Sequence, residues 1–545
     1  MVETGAHSLW DWLAAVSRRA TWAFAAVSAG LAVLLIYVVA PQPLYTDVYY
    51  HLNAANRLVS GQGLTDAYLW NYVNAPASRS GDWSVPSHQY WMPMPTLMAA
   101  AGMALTGAPA SYPAAQIPFA AALWGVALIG YAAGARLGRT AFMAWLAGLL
   151  TLLSPFYALG WGAVDSTTPF ALFGAGCLLL LGALAASAPS DGRAGGWWLL
   201  AGALAALSHL SRPDGVLLLG VAALTVAIVA GRRRRWKTLG LALPLLAGYL
   251  LVMLPWLVRN LQAFGAFLPA GGLQGMFYTE YDDLFAYPAV ASLQSFLAEM
   301  GVAGFITTRW AALFGSDGGL ISGNFGTFLA VEGMIFLAPL MLIGLVRRWR
   351  NPFLWPFMLA ALAVHLVMTL VFPFAGVRGG LLHSASALVP FWAALGLAGL
   401  GDVIGWVAKR RRTWQPGTAT HVFGTGLLAL AVMLLAMLAA RGGRGPSTGE
   451  RALYAALDAA LPPGERVFSA DPAAIYYFTG RGGAVLPNSP PGTLQQLAAH
   501  YETGYVLLQA DGLPSGLESL WDSPPDLLTG VPIATEAGRL YAIER

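Results

Sequence analysis

RRATWAFAAVSAGLAVLLIYVVAPQPLYTDVYYHLNAANRLVSG, residues 18–61, is an apolar run followed without pause by an amphipathic one. The apolar part, 21–41, has the length a helix needs to cross a bilayer and carries no charge behind Arg18-Arg19. It exceeds the apolar core of a typical cleaved signal peptide, so it reads as an uncleaved anchor. After it, Val48, Leu52, Ala55 and Val59 recur at helical spacing, with Asn53, Asn56 and Arg57 off that stripe. Gly61 and Gly63 close the pattern, which predicts a helix lying in the membrane interface. Asp47, at the start of this helix, has two readings: an N-cap for free backbone N–H groups, or a carboxylate held at the water–lipid boundary for general-base chemistry.

The same alternation continues along the chain. Of 545 residues, 57% are hydrophobic and only 10% charged, against about 25% charged in soluble domains. Charge-free runs follow at 114–135, 140–164, 166–189, 194–211, 215–231 and 238–258, then at 333–346, 351–377, 379–401 and 413–440. With the first run they predict about eleven membrane helices; the short 194–211 run would also fit a re-entrant hairpin with its successor. Between them stand basic clusters: Arg18-Arg19, Arg136 with Arg139, Arg193, Arg232 to Arg235 with Lys237, Arg347-Arg348 with Arg350, and Lys409 to Arg412. Walking the spans in order places all of these on one side, which the positive-inside rule makes cytoplasmic. The N-terminus is then inside. The polar segments 42–113 and 259–326 and the tail beyond 441 are then outside, as expected of a bacterial-type inner-membrane protein. The net charge of +4 therefore belongs to membrane orientation and not to nucleic-acid binding. Cys177 is alone, which excludes an internal disulfide.

Two units are expected. Residues 1–440 form an all-α polytopic membrane domain, and 445–545 a small extracytoplasmic α/β domain behind a Gly/Arg/Pro linker at 441–449. In the tail, 450–461 has helical spacing, while 466–470, 504–509 and 540–543 read as strands. Glu332 and His365 fall in or near spans, where ionisable groups point to function by default; facing other helices is an equally adequate reason for them.

The motifs resemble those of the GT-C glycosyltransferases, in particular the bacterial branch related to protein O-mannosyltransferases and aminoarabinose transferases (family 39-like). The resemblance rests on Asp47 with Tyr50 and the helix end Arg57 to Gly61; on Trp91 to Leu97, which contains Pro93 and Pro95; on Ser211-Arg212-Pro213-Asp214-Gly215; and on Pro255 to Asn260 followed by Phe264-Gly265. In the tail it rests on Asp471-Pro472, Tyr477 to Arg481 and Leu486-Pro487. The first-loop motif also resembles that of oligosaccharyltransferases, but the chain has no Trp-Trp-Asp-Tyr-Gly motif.

The resemblance implies an inverting transferase that moves a sugar from a polyprenyl-phosphate donor to a glycan, lipid or protein acceptor at the outer membrane face. Asp47 would be the base. The leaving phosphate would be met by an arginine, whose guanidinium binds phosphate oxygens in pairs: Arg259 first, beside Asn260, or Arg212 or Arg378. Asp165, His51, His88 and Tyr90 are further substrate-binding candidates, and Asp47 is expected near Asp165 and at least one of these arginines. A divalent metal, if any, would take Asp47, His51 and Asp165, with His88 in reach; no other cofactor is implied. The competing functions are a lipid or polysaccharide transporter or flippase, and a non-catalytic envelope-assembly protein. No internal repeat of the transporter kind is apparent.

Overall fold

The computed structural model describes residues 16–73, 84–187, 194–268, 274–289, 291–316, 322–411, 413–441, 448–509, 512–533, 535 and 537–544. Arg193, Arg412 and most of the 441–449 linker lie outside the described residues.

Eight described helices are long and apolar enough to cross a membrane: Arg18–Val39, Tyr112–Gly138, Thr167–Ser187, Pro213–Arg232, Trp236–Phe264, Pro352–Val371, Pro373–Ala408 and Pro416–Arg441. The other three expected spans form shorter helices, so the count of full-length spans falls below eleven. Ala141–Leu152 is stopped by Ser154-Pro155, since proline cannot continue the ladder. Ala338–Arg348 is shortened because the chain before it runs through a wide-turn helix and two left-handed residues, Met334 and Ile335. Ala194–Ser211 stays helical for 18 residues. It packs backbone to backbone on Ala242–Phe264: a Cβ at Gly202 would stand 1.8 Å from the Leu245 carbonyl, and one at Gly248 1.9 Å from that of Leu199. Small residues permit such close helix contacts where burial of apolar surface supplies no drive.

One end of the bundle collects basic residues. Arg136 lies over the Phe353 ring, Arg232 over Trp355, and Arg348 pairs with Asp402 at 2.5 Å. The clusters near 136, 232 and 347 thus share one face.

The opposite face carries the non-membrane structure. Eight strands are described: β1 Thr65–Asp66, β2 Tyr68–Leu69, β3 Val85–Pro86, β4 Val467–Ser469, β5 Gly483–Val485, β6 Tyr505–Leu508, β7 Leu528–Val531 and β8 Arg539–Ile543. β1 and β3 pair antiparallel. The other six form one sheet in the order β2-β5-β4-β6-β8-β7. The tail does not finish this sheet alone, because its edge strand β2 comes from the first loop, with Tyr68 beside Gly483 and Leu69 beside Ala484, parallel.

Within the bundle, Glu332 is fully buried and accepts from the Trp392 indole at 2.7 Å, and His365 meets its other oxygen at 2.9 Å. A membrane-buried carboxylate partnered on both oxygens carries a much reduced burial penalty.

Candidate active site

The first span ends at Ala40, whose carbonyl accepts from Gln116 Nε2 at 2.8 Å; the same amide donates to Gly162 O at 2.7 Å. One buried side chain therefore fixes the end of the first span against the loop that carries Asp165. Directly beyond, Thr46–Val59 forms the predicted interfacial helix. Its N-cap is Tyr45, so Asp47 is not the cap; it sits in the first turn, where the helix dipole favours a negative charge.

Asp47 is partly exposed. Its carboxyl is pushed up from the usual 3.8 to about 6, chiefly by burial and then by the charge of Asp165. A hydrogen bond from Trp91 and the charge of Arg212 pull the other way, and Asp471 adds a weaker upward push. Burial also holds the Tyr45 hydroxyl well above its ordinary value.

Asp165 is 1% exposed and held from three directions. Tyr45 OH donates to Oδ2 at 2.5 Å, the Thr167 backbone N–H to Oδ1 at 2.8 Å, and the Thr167 hydroxyl to Oδ2 at 3.1 Å. That N–H belongs to the first residue of the helix Thr167–Ser187, so Asp165 also satisfies one of the free donors at its start. His383 Nδ1 stands 3.9 Å from Oδ2 and meets the Thr167 hydroxyl at 2.6 Å.

Arg212 reaches the same group. Its Nε pairs with Asp214 at 3.0 Å, its Nη1 donates to Ser166 Oγ at 3.3 Å, and its Nη2 points at Gly380 O and Ser384 Oγ. Arg378 lies 4.3 Å over the Tyr281 ring. Tyr281 and Tyr90 both feel the charge of Asp47, which with burial raises their hydroxyls. The charges of Asp165 and Arg212 thus reach Asp47, whose own charge reaches Tyr90 and Tyr281, the ring that lies under Arg378.

The other predicted residues lie apart. Arg259 donates to Leu64 O at 3.1 Å, lies over the Trp256 and Phe264 rings, and feels Asp66 and Tyr50. Asn260 is fully buried and donates to Phe267 O at 3.1 Å. His51 Nδ1 and His88 Nε2 each meet the Thr96 hydroxyl at 2.9 Å. Burial drives His51 down to about 3, so its ring is neutral. These residues brace the first loop from below, one indole away from the cleft: Trp91 stacks on Tyr50 at 4.1 Å. Among the described residues no three His, Cys, Asp or Glu side chains group as metal ligands. His51 is tied to Thr96 and does not join Asp47 and Asp165.

Tyr45 and His383 at Asp165, Trp91 at Asp47 and Tyr281 at Arg378 add to this group, and the sequence alone does not mark them. Tyr45 directly precedes the Asp47 helix, and Trp91 opens the stretch that contains Pro93 and Pro95. His383 follows Arg378 by five residues, a spacing that puts both near one helix end.

The fold is thus a bundle of apolar helices with carboxylates and arginines gathered at one end, together with a sheet built from loop and tail. The family described as dolichyl-phosphate-mannose-protein mannosyltransferase matches residues 86–258. The chain is similar in fold to the archaeal oligosaccharyltransferase AglB from Archaeoglobus fulgidus, solved with an inhibitory peptide and a dolichol-phosphate: TM-score 0.58, 12% identity, covering 96% of this chain and 74% of that one. It is also similar to ArnT from Cupriavidus metallidurans bound to undecaprenyl phosphate: TM-score 0.55, 14% identity, covering 95% and 97%. No curated protein matches the chain in sequence. The fold is thus shared with an oligosaccharyltransferase although this chain has no Trp-Trp-Asp-Tyr-Gly motif.

Proposed function

We propose that the protein is an inverting glycosyltransferase that moves a sugar from a polyprenyl-phosphate donor to an acceptor hydroxyl, on the outer side of a bacterial-type inner membrane. The observation that carries this reading is the nearness of Asp47 to Asp165 and Arg212, whose charges act on its carboxyl while Arg212 bonds to Ser166 beside Asp165. The proteins of the same fold solved with dolichol-phosphate and undecaprenyl phosphate support the choice of donor.

In this reading Asp47 takes the proton of the acceptor hydroxyl. The acceptor oxygen forms its bond to the anomeric carbon as the bond to the phosphate oxygen breaks on the opposite face, and the electron pair leaves with the lipid phosphate. A base with a pKa of about 6 is ionised at neutral pH yet still basic enough to help. Arg212 and Arg378, at the cleft, meet the developing phosphate charge; Arg259 and Asn260 hold the first loop. Asp165, fixed by Tyr45 and Thr167, orients the substrate and keeps the Asp47 carboxyl from becoming too acidic. Residues 1–440 supply the catalytic cleft and 445–545 a cover over it. The basic end of the bundle faces the cytoplasm by the positive-inside rule.

The test is a transfer assay on purified protein with a polyprenyl-phosphate sugar and, separately, a nucleotide sugar. Transfer from the lipid donor alone, abolished by Asp47→Asn, is expected. Transfer from the nucleotide sugar with no lipid present would overturn the donor assignment.

A further inference from the structure

A cavity of about 590 Å³ opens between the far end of the Thr46–Val59 helix and the tail. That volume lies within the roughly 300–1,000 Å³ of small-ligand sites. Three guanidiniums line it, from Arg57, Arg466 and Arg481, against one lining carboxylate, Asp458.

Each arginine is held differently. Arg481 is structural: it pairs with Asp458 at 2.8 Å and donates to the carbonyls of Pro462 and Leu461, tying down the helix before them. Arg466 faces Glu502 across 3.6 Å at a partly exposed site. Arg57 is oriented by neutral oxygens: Thr65 O at 3.0 Å, the Thr65 hydroxyl, Tyr476 OH at 3.1 Å and Ser84 Oγ. Such bonds fix the guanidinium in place; the carboxyl that feels its charge, Asp66, is buried and pushed up to about 7, so it opposes that charge only in part at neutral pH, and a fixed guanidinium suits a carboxylate or phosphate.

Position argues for the occupant. Arg57 lies ten residues beyond Asp47 on one helix, about 15 Å at 1.5 Å per residue. That is too far for the donor phosphate, which must reach the cleft, but suits a remote part of an extended acceptor. The walls come from both the first loop and the tail. Tyr476, Thr479, Gly480 and Gly482 line the tail side, and the Tyr476 hydroxyl accepts from Arg57, so the tail itself helps to set the guanidinium.

We propose that this cavity binds the anionic part, carboxylate or phosphate, of an acceptor oligosaccharide. Its role as an acceptor site rests on the glycosyltransferase reading; anion binding does not. The test is calorimetric titration of the full-length protein in detergent with hexagalacturonate, a phosphorylated oligosaccharide, maltohexaose and hexaglutamate. At least one of the two anionic sugars is expected to bind about tenfold or more tighter than maltohexaose, with affinity falling as salt rises; which of them does so identifies the anion. Arg466→Gln, at a partly exposed position, should weaken that binding about tenfold, and Arg57→Gln likewise. Asp47→Asn should leave it unchanged. Equal binding of maltohexaose, binding of hexaglutamate alone, or undiminished binding by folded Arg466→Gln would each overturn the proposal. Transfer activity without anion binding would sink this proposal alone, whereas anion binding without transfer from any donor would sink only the enzyme reading.

Discussion

Thr46 Oγ1 donates to Asp471 Oδ2 at 2.7 Å, joining the residue next to the proposed base to a residue 425 positions away. Asp471 Oδ1 meanwhile accepts from the Ala474 backbone at 3.0 Å, capping the tail helix Pro472–Thr479. One carboxylate thus ties the first turn of the Asp47 helix to the tail.

Asp471→Ala should therefore act on both units. It removes a helix cap and a side-chain bond, each worth about 1 kcal/mol. A fall in thermal midpoint together with lower turnover is expected. Asp471→Asn keeps an acceptor oxygen and should be milder. Equal effects of the two variants would show that the charge, and not the hydrogen bonding, is what matters there.

Asp47→Asn should fold normally and lose about 100- to 10,000-fold in turnover, the contribution of a general base, because an amide does not accept the proton. Turnover of purified variant against wild type measures this. Near-normal turnover would remove Asp47 from the base role.

The pH profile should carry the same carboxyl. Its pKa is raised from 3.8 to about 6, so activity should decline on acidification with an inflection near 6 and not near 4. The sign for stability is opposite. A raised folded-state pKa means folding favours the protonated form, so this group costs stability as pH rises from about 4 to about 6. Asp66, pushed up to about 7 mainly by burial, has the same sign over a wider window. Asp47→Asn should thus gain thermal stability over wild type at pH 7 and gain less at pH 4. A midpoint difference that does not change with pH would contradict the shift.

The bundle was legible in the sequence because membrane spans announce themselves by length and lack of charge, as do the interfacial helix and its Asp47. What stayed hidden depends on partners distant in sequence. Tyr68-Leu69 reads as loop, since two residues show no period; they become strand only because Gly483 and Ala484 offer an open sheet edge. The arginines had the same difficulty. Arg212, Arg259 and Arg378 all stand at helix ends on one face, so depth alone does not rank them. Only the packing sends Arg259 to Leu64 and Arg212 to Ser166.

That separation yields the last prediction. Arg212 reaches the Asp165 loop and the Gly380–Ser384 turn at once, so Arg212→Ala should lose a transition-state contact, about 100-fold or more in turnover by analogy with removing one oxyanion donor. Arg212→Lys should recover little, because an ammonium does not reproduce the guanidinium fork that spans Asp214 and Ser166. Arg259→Ala should behave differently: it frees the Leu64 carbonyl and uncovers Trp256, so the first loop loosens and the thermal midpoint falls. The donor KM should change little in that variant, since its guanidinium is held at Leu64 away from the cleft. Turnover, KM and thermal midpoint measured on all three variants separate the roles. A large rise in donor KM for Arg259→Ala at an unchanged midpoint would put the phosphate at Arg259 instead.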